Sequence, residues 1–233
     1  TGAEDVRLTA GVDGVDSVRV DFSMADVLIV FADVPDAELD MRTEGWTAAV
    51  DPSMTVENGE LRVTDRRGGW NFFPNLGWWN HGAEVTVTLP ASLEGRIDLR
   101  AEVSAGSTTA EGDFRAVDLD VSAGDITFTG DSTALDVDVS AGRAVVTTDG
   151  PTQIDLGVSA GEIIATITGR QPDTTTVDVS AGSVTLALPQ GTYALSGSQS
   201  AGDRTIDVET ASGADASLRV SVSAGDATVR YSD

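Results

Sequence analysis

The chain contains no cysteine, no lysine and one histidine, and only 12 of its 233 residues are aromatic (4 Trp, 2 Tyr and 6 Phe). Without cysteine there can be no disulfide framework, thiolate metal site or cysteine nucleophile. The 14 basic residues, all arginine, face 38 acidic ones, and the formal net charge is −24. This balance argues against nucleic-acid binding and against broad electrostatic docking on anionic lipid, because both require a basic surface.

Long apolar runs are also absent, since none approaches the roughly 20 residues of a membrane-spanning helix. The sequence starts at Thr1 rather than at a methionine. A signal peptide or a membrane anchor could therefore have been removed from the natural protein.

One tripeptide recurs along the chain at nearly constant spacing. Ser-Ala-Gly begins at Ser104, Ser122, Ser140, Ser159, Ser180, Ser200 and Ser223. The intervals of about 18 to 23 residues are typical of a repeat architecture. The tripeptide ends in Gly106, Gly124, Gly142, Gly161, Gly182, Gly202 and Gly225. We predict that these glycines form structural turns that need a positive φ or a close backbone approach.

Apolar side chains precede each serine at every second position, as in Val117, Leu119 and Val121 before Ser122. This period of two indicates a strand with one buried face, and a second alternating run follows each glycine. A repeat of two short strands is too short for a crossover helix. Stacking successive repeats in parallel would bury every apolar column inside one tube. The sequence therefore predicts an all-β fold, a parallel β-helix or β-roll solenoid with one repeat per coil.

The N-terminal third is less regular, although Val18–Val30 looks like a degenerate coil with its corner at Ser23-Met24-Ala25-Asp26. Asn58-Gly59 is a hairpin signal between two further strands. We predict a single domain over residues 1–233. Irregular coils and a cap occupy 1–95, with an aromatic loop at 66–82, and regular Ser-Ala-Gly coils occupy 96–233.

Valine-rich strands punctuated by Ser-Ala-Gly, together with the Ser-X-Ala-Asp-Val start at Ser23, resemble the bacterial "putative adhesin" β-strand-repeat family, also called Toastrack. The resemblance covers about Val18 to Val229 and is carried by architectural motifs. It implies a domain of the kind attached to phage-shock-C or Lia-type membrane proteins and linked to envelope stress. It brings no catalytic residues with it. The composition, rich in Arg, Ala, Asp, Val and Gly, resembles that of an actinobacterial protein.

The strongest candidate binding segment is the aromatic loop, because positions 70 to 79 hold five of the 12 aromatic residues in no strand or helix period. Gly, Pro and Asn residues between them indicate a loop. It could be a finger that docks on a partner protein, on a second subunit or at a membrane interface, or a lid over the solenoid. Its candidate residues are Trp70, Phe72, Phe73, Trp78, Trp79, Arg66 and Arg67.

Carboxylates recur at equivalent outward positions and predict an acidic ladder. Asp118, Asp136 and Asp155 form one column, and Glu102, Asp120, Asp138 and Asp178 form its neighbour. Ca²⁺ suits oxygen ligands, which makes Asp118, Asp120, Asp136 and Asp138 weak metal candidates. The Gly-rich repeat of calcium β-rolls is absent, so a solvated face is the favoured interpretation and no metal or cofactor is predicted.

Two other features have weaker functional interpretations. A threonine column, Thr109, Thr127, Thr185, Thr205 and Thr228, could order water, but Val145 and Ile164 interrupt it and threonine is a common strand residue. Catalysis has little support, because His81 in the aromatic loop is the one possible triad base.

The sequence therefore favours a non-enzymatic interaction or sensory domain of the cell envelope. We expect it to be membrane-tethered and extracytoplasmic, and to bind a protein partner or self-associate. A carbohydrate-binding adhesin is the alternative. A polysaccharide-active β-helix enzyme and a self-polymerising scaffold are weaker ones.

Overall fold

The computed structural model describes residues 5–42, 51–65 and 83–232, and nearly all regular structure in them is β-strand. The N-terminal strands are β1 (Val6–Ala10), β2 (Ser17–Ala32), β3 (Ala37–Arg42), β4 (Pro52–Glu57), β5 (Glu60–Asp65), β6 (Ala83–Pro90) and β7 (Asp98–Glu111). The central strands are β8 (Ala116–Val121), β9 (Asp125–Thr129), β10 (Ala134–Val139), β11 (Arg143–Asp149), β12 (Gln153–Val158), β13 (Glu162–Thr168), β14 (Thr174–Val179) and β15 (Ser183–Leu188). The C-terminal strands are β16 (Thr192–Ser196), β17 (Asp203–Asp207), β18 (Glu209–Thr210), β19 (Ala216–Val222) and β20 (Asp226–Tyr231), and a 3-10 turn covers Ala91–Leu93.

These strands form a parallel solenoid of nine stacked rungs, as the repeat predicts. Each rung gives one strand segment to each of two long ladders, which we call the acidic sheet and the threonine sheet. The acidic sheet runs β5, β2 (17–22), β7 (98–103), β8, β10, β12, β14, β19, β16 from rung 1 to rung 9. The threonine sheet runs β6, β2 (25–32), β7 (106–111), β9, β11, β13, β15, β20, β17.

The alternating apolar residues all point into the space between the two ladders. In rung 5, for example, Leu135, Val137 and Val139 come from the acidic sheet and Ala144 and Val146 from the threonine sheet, and none is more than 2% exposed. Each buried Val or Leu side chain contributes roughly 1.5–3 kcal/mol of hydrophobic free energy. Because the strands pair in register, the apolar columns continue from rung to rung with few interruptions, and one core runs the length of the solenoid.

The Ser-Ala-Gly glycines stack directly over one another along one edge. A side chain at Gly124 would overlap the carbonyl oxygen of Gly106, and one at Gly142 would overlap that of Gly124. The same relation continues through Gly161, Gly182, Gly225 and Gly202, and it begins where Gly106 lies on Ala25. Only Gly106 and Gly202 of the seven have φ in the left-handed region. The third position of the tripeptide is therefore glycine mainly because the backbones of neighbouring rungs approach closely there.

The rungs follow chain order in the middle of the molecule but not at its two ends. Near the C-terminus, β19 and β20 (rung 8) are inserted between β14 and β15 (rung 7) and the earlier strands β16 and β17 (rung 9). Near the N-terminus, β2 lies between β5 and β6 (rung 1) and β7 (rung 3). The expectation that successive repeats always stack on each other is therefore wrong at both ends.

Interior side chains explain the order at the C-terminal end. Rung 8 has apolar residues such as Leu218, Val220 and Val229 at its inward positions, and all three are fully buried. Rung 9 instead has Arg204 at an inward position, where its guanidinium donates a hydrogen bond to the Val220 carbonyl (3.1 Å). A charged group is tolerated only where water remains accessible, so rung 9 lies at the end.

Antiparallel strands cover the other end. Strand β4 pairs with β5 through the hairpin turn at Asn58-Gly59, where both residues have positive φ, as the Asn-Gly signal predicts. Strand β3 pairs with β6, and β1 with β3. Switching from parallel to antiparallel pairing ends the regular stack and protects its edge.

Candidate functional site

The outward side chains of the acidic sheet form the predicted carboxylate ladder. The structure aligns Asp118 with Asp136 and Asp136 with Asp155 in one column. Glu102, Asp120 and Asp138 align in the next column, and Asp178 follows after Gly157. Neighbouring rungs are about 4.8 Å apart, so carboxylates that are direct neighbours in a column repel one another.

Arginines replace the carboxylates at the N-terminal end of the first column. Arg62, Arg19 and Arg100 occupy rungs 1 to 3 at the position that Asp118 takes in rung 4. The Arg19 guanidinium contacts Glu102 (2.6 Å), and Arg100 contacts Glu102 (3.1 Å) and Asp118 (3.4 Å). The face is therefore divided into an ion-paired end and an acidic middle.

Beyond rung 4 the acidic middle lacks this compensation. Among the residues that the structure describes, no arginine lies within ion-pair distance of Asp136, Asp138 or Asp155. Burial against the sheet raises the pKa of Asp136 to about 6, and the charges of Asp118 and Asp155 add to the shift. The pKa of Asp138 is raised mainly by burial and secondly by Asp120. Part of this ladder therefore takes up protons in mildly acidic solution.

A shallow groove of about 350 Å³ runs beside the first column. Ala116 and Ala134 leave room along it because they are smaller than Gln153 and Thr174, which hold the same position in rungs 6 and 7. Its polar lining comes from Ser17, Glu60, Asp98, Arg100, Asp118, Asp136, Gln153 and Asp155. The groove is large enough for a small ligand or a short stretch of polymer.

The ladder does not form a metal cage. Within the described part of the chain, no three side chains of the ligand types His, Cys, Asp or Glu are grouped closely enough to hold a metal ion. Asp118, Asp120, Asp136 and Asp138, the weak candidates from the sequence, are neighbours on a flat sheet. A flat sheet directs them outward in parallel instead of towards one point.

The opposite face carries the threonine column. Thr109, Thr127, Thr185, Thr228 and Thr205 share one outward column of the threonine sheet. Val145 and Ile164 complete the column between them, and Leu28 and Thr86 extend it to rungs 2 and 1. The sequence pattern identifies the column from rung 3 to rung 9 and misses rungs 1 and 2, because β6 and β2 lack the Ser-Ala-Gly marker that fixes the register.

The aromatic loop, residues 66–82, lies outside the described residues, and with it Trp70, Phe72, Phe73, Trp78, Trp79, Arg66, Arg67 and His81. The structure describes the two positions that flank it. Asp65 ends β5 and Ala83 begins β6, and both strands belong to rung 1. The binding role of the loop remains a prediction from the sequence.

Sequence reasoning missed the arginine column and the groove. Arg19 and Arg62 stand in strands without the tripeptide, so their alignment with Arg100 and Asp118 needs the register that the structure supplies. The similarity of Val18-Arg19-Val20 to Leu61-Arg62-Val63 is the sequence signal that could have predicted the pairing of Arg19 with Arg62.

No family model matches the chain, and no curated protein matches its sequence. Similar solved structures include a "putative cell adhesion protein" from Clostridium sporogenes, at 10% identity over 99% of this chain and 100% of that chain, with a TM-score of 0.45. A "putative adhesin" from Bacteroides fragilis is 11% identical over 98% and 97% of the two chains, with a TM-score of 0.43. A "putative lipid binding protein" from Parabacteroides distasonis is 11% identical over 97% and 96%, with a TM-score of 0.45.

The described residues include no helix that is long and apolar enough to cross a membrane.

Proposed function

We propose that the chain is a non-catalytic interaction domain of the cell envelope, adhesin-like in build, that binds a partner protein through the aromatic segment 66–82. In this proposal the domain is tethered to the membrane on its extracytoplasmic side, and it senses envelope stress. The solenoid serves as a rigid support and the aromatic side chains serve as anchors.

The observation that carries this proposal is the repetition of the outer faces. Equivalent side chains recur from rung to rung, as Asp118, Asp136 and Asp155 do, and such columns suit extended contact surfaces. The flanking strands of the aromatic segment, β5 and β6, are ordered members of the same rung. A segment with both ends fixed on a rigid scaffold loses less entropy on binding than a free tail.

The test replaces Trp70, Trp78 and Trp79 together by alanine. We expect the variant to lose capture of the envelope partner by more than tenfold, while its far-UV circular dichroism stays that of a β-protein. Trp46→Ala is the matched control, because it removes the same side chain outside the segment. Partner capture that survives the triple substitution would show that the segment is not the anchor.

A carbohydrate-binding adhesin is distinguished by its ligand. If Trp78 and Trp79 stack on sugar rings, the purified domain binds glycans on an array and the triple variant does not. Binding of a protein without any glycan signal supports the protein-partner proposal.

One observation favours a second candidate, a polysaccharide-active enzyme. Asp136, with its pKa raised to about 6, lines the groove between Asp118 and Asp155, and paired carboxylates about 5 Å apart serve retaining glycosidases. Release of reducing ends from cell-wall polymers, lost in Asp136→Asn, would support this candidate. The repetition of the carboxylates along the sheet argues for the non-catalytic function.

A further inference from the structure

The threonine sheet has an uncharged column along the middle of its outer surface, in a chain of net charge −24. We call the threonine strip its three outward columns. The middle column, from rung 1 to rung 9, is Thr86, Leu28, Thr109, Thr127, Val145, Ile164, Thr185, Thr228 and Thr205. It has no charge at any rung, so it can be removed from water without desolvating a carboxylate.

The column on the glycine side of the strip is charged, but its charges are partly compensated. It consists of Glu84, Asp26, Ser107, Asp125, Arg143, Glu162, Ser183, Asp226 and Asp203. The Arg143 guanidinium pairs with Glu162 (3.1 Å) and is the strand neighbour of Asp125. The Ser107 hydroxyl donates a hydrogen bond to Asp26 (2.6 Å).

The third column is nearly uncharged in its middle rungs. It consists of Thr88, Val30, Glu111, Thr129, Thr147, Thr166, Ala187, Arg230 and Asp207. From rung 4 to rung 7 the middle and third columns contain only Thr, Val, Ile and Ala. Apart from Ala187, which is buried, these residues are half-buried or exposed, and their methyl groups form a flat surface of the kind that packs on another sheet.

We propose that a second copy of this chain packs on the threonine strip, with the two-fold axis parallel to the solenoid axis. In this arrangement each rung meets the same rung of the other copy. The middle columns face each other, and the glycine-side column of one copy faces the third column of the other.

Charge complementarity selects this orientation. Asp226 meets Arg230 of the second copy, and Glu162 meets Thr166 of the second copy. The opposing like charges are Asp203 and Asp207, at the last rung, where water remains accessible. Attraction at rung 8 and the absence of facing like charges from rung 1 to rung 8 make the arrangement acceptable despite the net charge.

The opposite orientation, with the rungs reversed, brings like charges together. Arg143 would face Arg143 of the second copy, Asp125 would face Glu162, and Asp26 would face Asp226. Like charges in direct contact across an interface cost several kcal/mol. The structure therefore distinguishes the two ways in which two strips can meet.

The strip is large enough for a reversible dimer only if nearly all of it is buried in the contact. Nine rungs at about 4.8 Å, and three columns that span four residue steps of about 3.3 Å, make a flat area of roughly 40 by 13 Å per copy. Side-chain relief increases the accessible area above this flat value, and a standard interface takes about 800 Å² from each partner. The dimer must therefore use nearly the whole strip, and added salt should strengthen it by screening the net charge.

Sedimentation of the whole chain over a range of concentrations tests the proposal. We expect the wild type to dimerise reversibly, and Ile164→Asp to raise its dissociation constant more than tenfold. Thr147→Arg should also raise the dissociation constant more than tenfold. Position 147 faces Arg143 of the second copy, so this substitution brings two positive charges together. Thr174→Asp, on the outer surface of the acidic sheet, is the matched control and should change the constant less than twofold.

Other outcomes would overturn the strip as the interface. They are a wild type that stays monomeric at every concentration and salt level, or a dimer that Ile164→Asp and Thr147→Arg leave intact. The triple tryptophan variant separates this inference from the proposed function. It should dimerise normally, and loss of the dimer in that variant alone would place the contact in the aromatic segment.

Thiol cross-linking tests the orientation, since the chain has no cysteine of its own. Thr109→Cys should cross-link to itself through a short bifunctional thiol reagent. With the rungs reversed, Thr109 would face Thr185 of the second copy. Cross-linking only in a mixture of Thr109→Cys and Thr185→Cys would overturn the proposed axis.

Discussion

A single glycine per repeat determines how closely two rungs can approach at the corner. At Gly142 a side chain would overlap the carbonyl oxygen of Gly124 and also meet the side chain of Val121. The Ala141 amide donates to the Ser122 carbonyl (3.0 Å), and the Ser159 amide donates to the Val139 carbonyl (2.8 Å). These hydrogen bonds fix the spacing of the rungs at the corner. The glycine thus maintains the ladder spacing where the chain changes from one sheet to the other.

Gly142→Ala should therefore destabilise the fold by about 1–3 kcal/mol, the usual cost of overpacking a well-packed site. The added methyl group forces rungs 4 and 5 apart at their corner. Urea unfolding followed by circular dichroism measures the change. Gly11→Ala is the control, because the nearest atom to a side chain there is Asp36 Oδ1 at 3.8 Å. Equal stability of the two variants would contradict the close-approach explanation.

One of the buried polar side chains is unpaired. Thr175 stands in the apolar column between Ile154 and Leu218, is fully buried, and its hydroxyl has no hydrogen-bond partner among the described residues. An unpaired buried hydroxyl costs about 1–3 kcal/mol. The solenoid tolerates this cost because the neighbouring rungs fix the strand from both sides.

At the scale of the strand ladder, electrostatic repulsion opposes regular stacking. The pKa values of Asp118, Asp138 and Asp155 are raised, as is that of Asp136, and burial is the first cause for each. A carboxyl whose pKa is higher in the folded than in the unfolded chain opposes folding when it is ionised. The opposition is complete above the folded pKa and is lost as the pH falls towards the unfolded value.

Asp136→Asn should consequently stabilise the protein at pH 7, by no more than about 1 kcal/mol because the side chain is accessible to water. The gain should shrink as the pH falls below about 6, the pKa of Asp136 in the fold. Thermal unfolding at pH 7 and pH 4.5 measures it. Asp13→Asn, at an exposed turn, provides the comparison. A gain in stability that is the same at both pH values would exclude repulsion within the ladder as its source.

The central strands were predictable from sequence because local pattern and tertiary pairing agree there. Val137 and Leu156, for instance, alternate with aspartates and meet in register, as their equal distance from Ser140 and Ser159 predicts. The carboxylate columns follow from the same spacing. The order of the end rungs was not predictable in this way, because every Ser-Ala-Gly repeat carries the same pairing signal. Contacts of interior residues such as Arg204 determine the order, and these depend on the finished fold.

At the scale of the whole molecule, insertion of the last strands places the C-terminal end of the chain inside the sheets. Strand β20 is the last in the chain, yet it pairs with β15 on one side and β17 on the other. The exposed end rung is formed by an earlier part of the chain. Rung 8 is the last to be synthesised and lies between rungs 7 and 9, which are synthesised before it. Its insertion therefore requires a long-range step late in folding.

Engineered cysteine pairs distinguish this order from chain-order stacking. Thr176, Arg219 and Ser196 occupy the same outward column in rungs 7, 8 and 9, and each lies four residues before the serine of its tripeptide. In the structure Thr176 and Arg219 are strand neighbours, about 4.8 Å apart and within the range that a disulfide spans. Thr176→Cys with Arg219→Cys should therefore oxidise to an intrachain disulfide in dilute solution, detected as loss of free thiol in the monomer. Thr176→Cys with Ser196→Cys should keep its thiols, because the two sites are two rungs apart. The reverse result would mean that the repeats stack in chain order and that rung 8 is the exposed end.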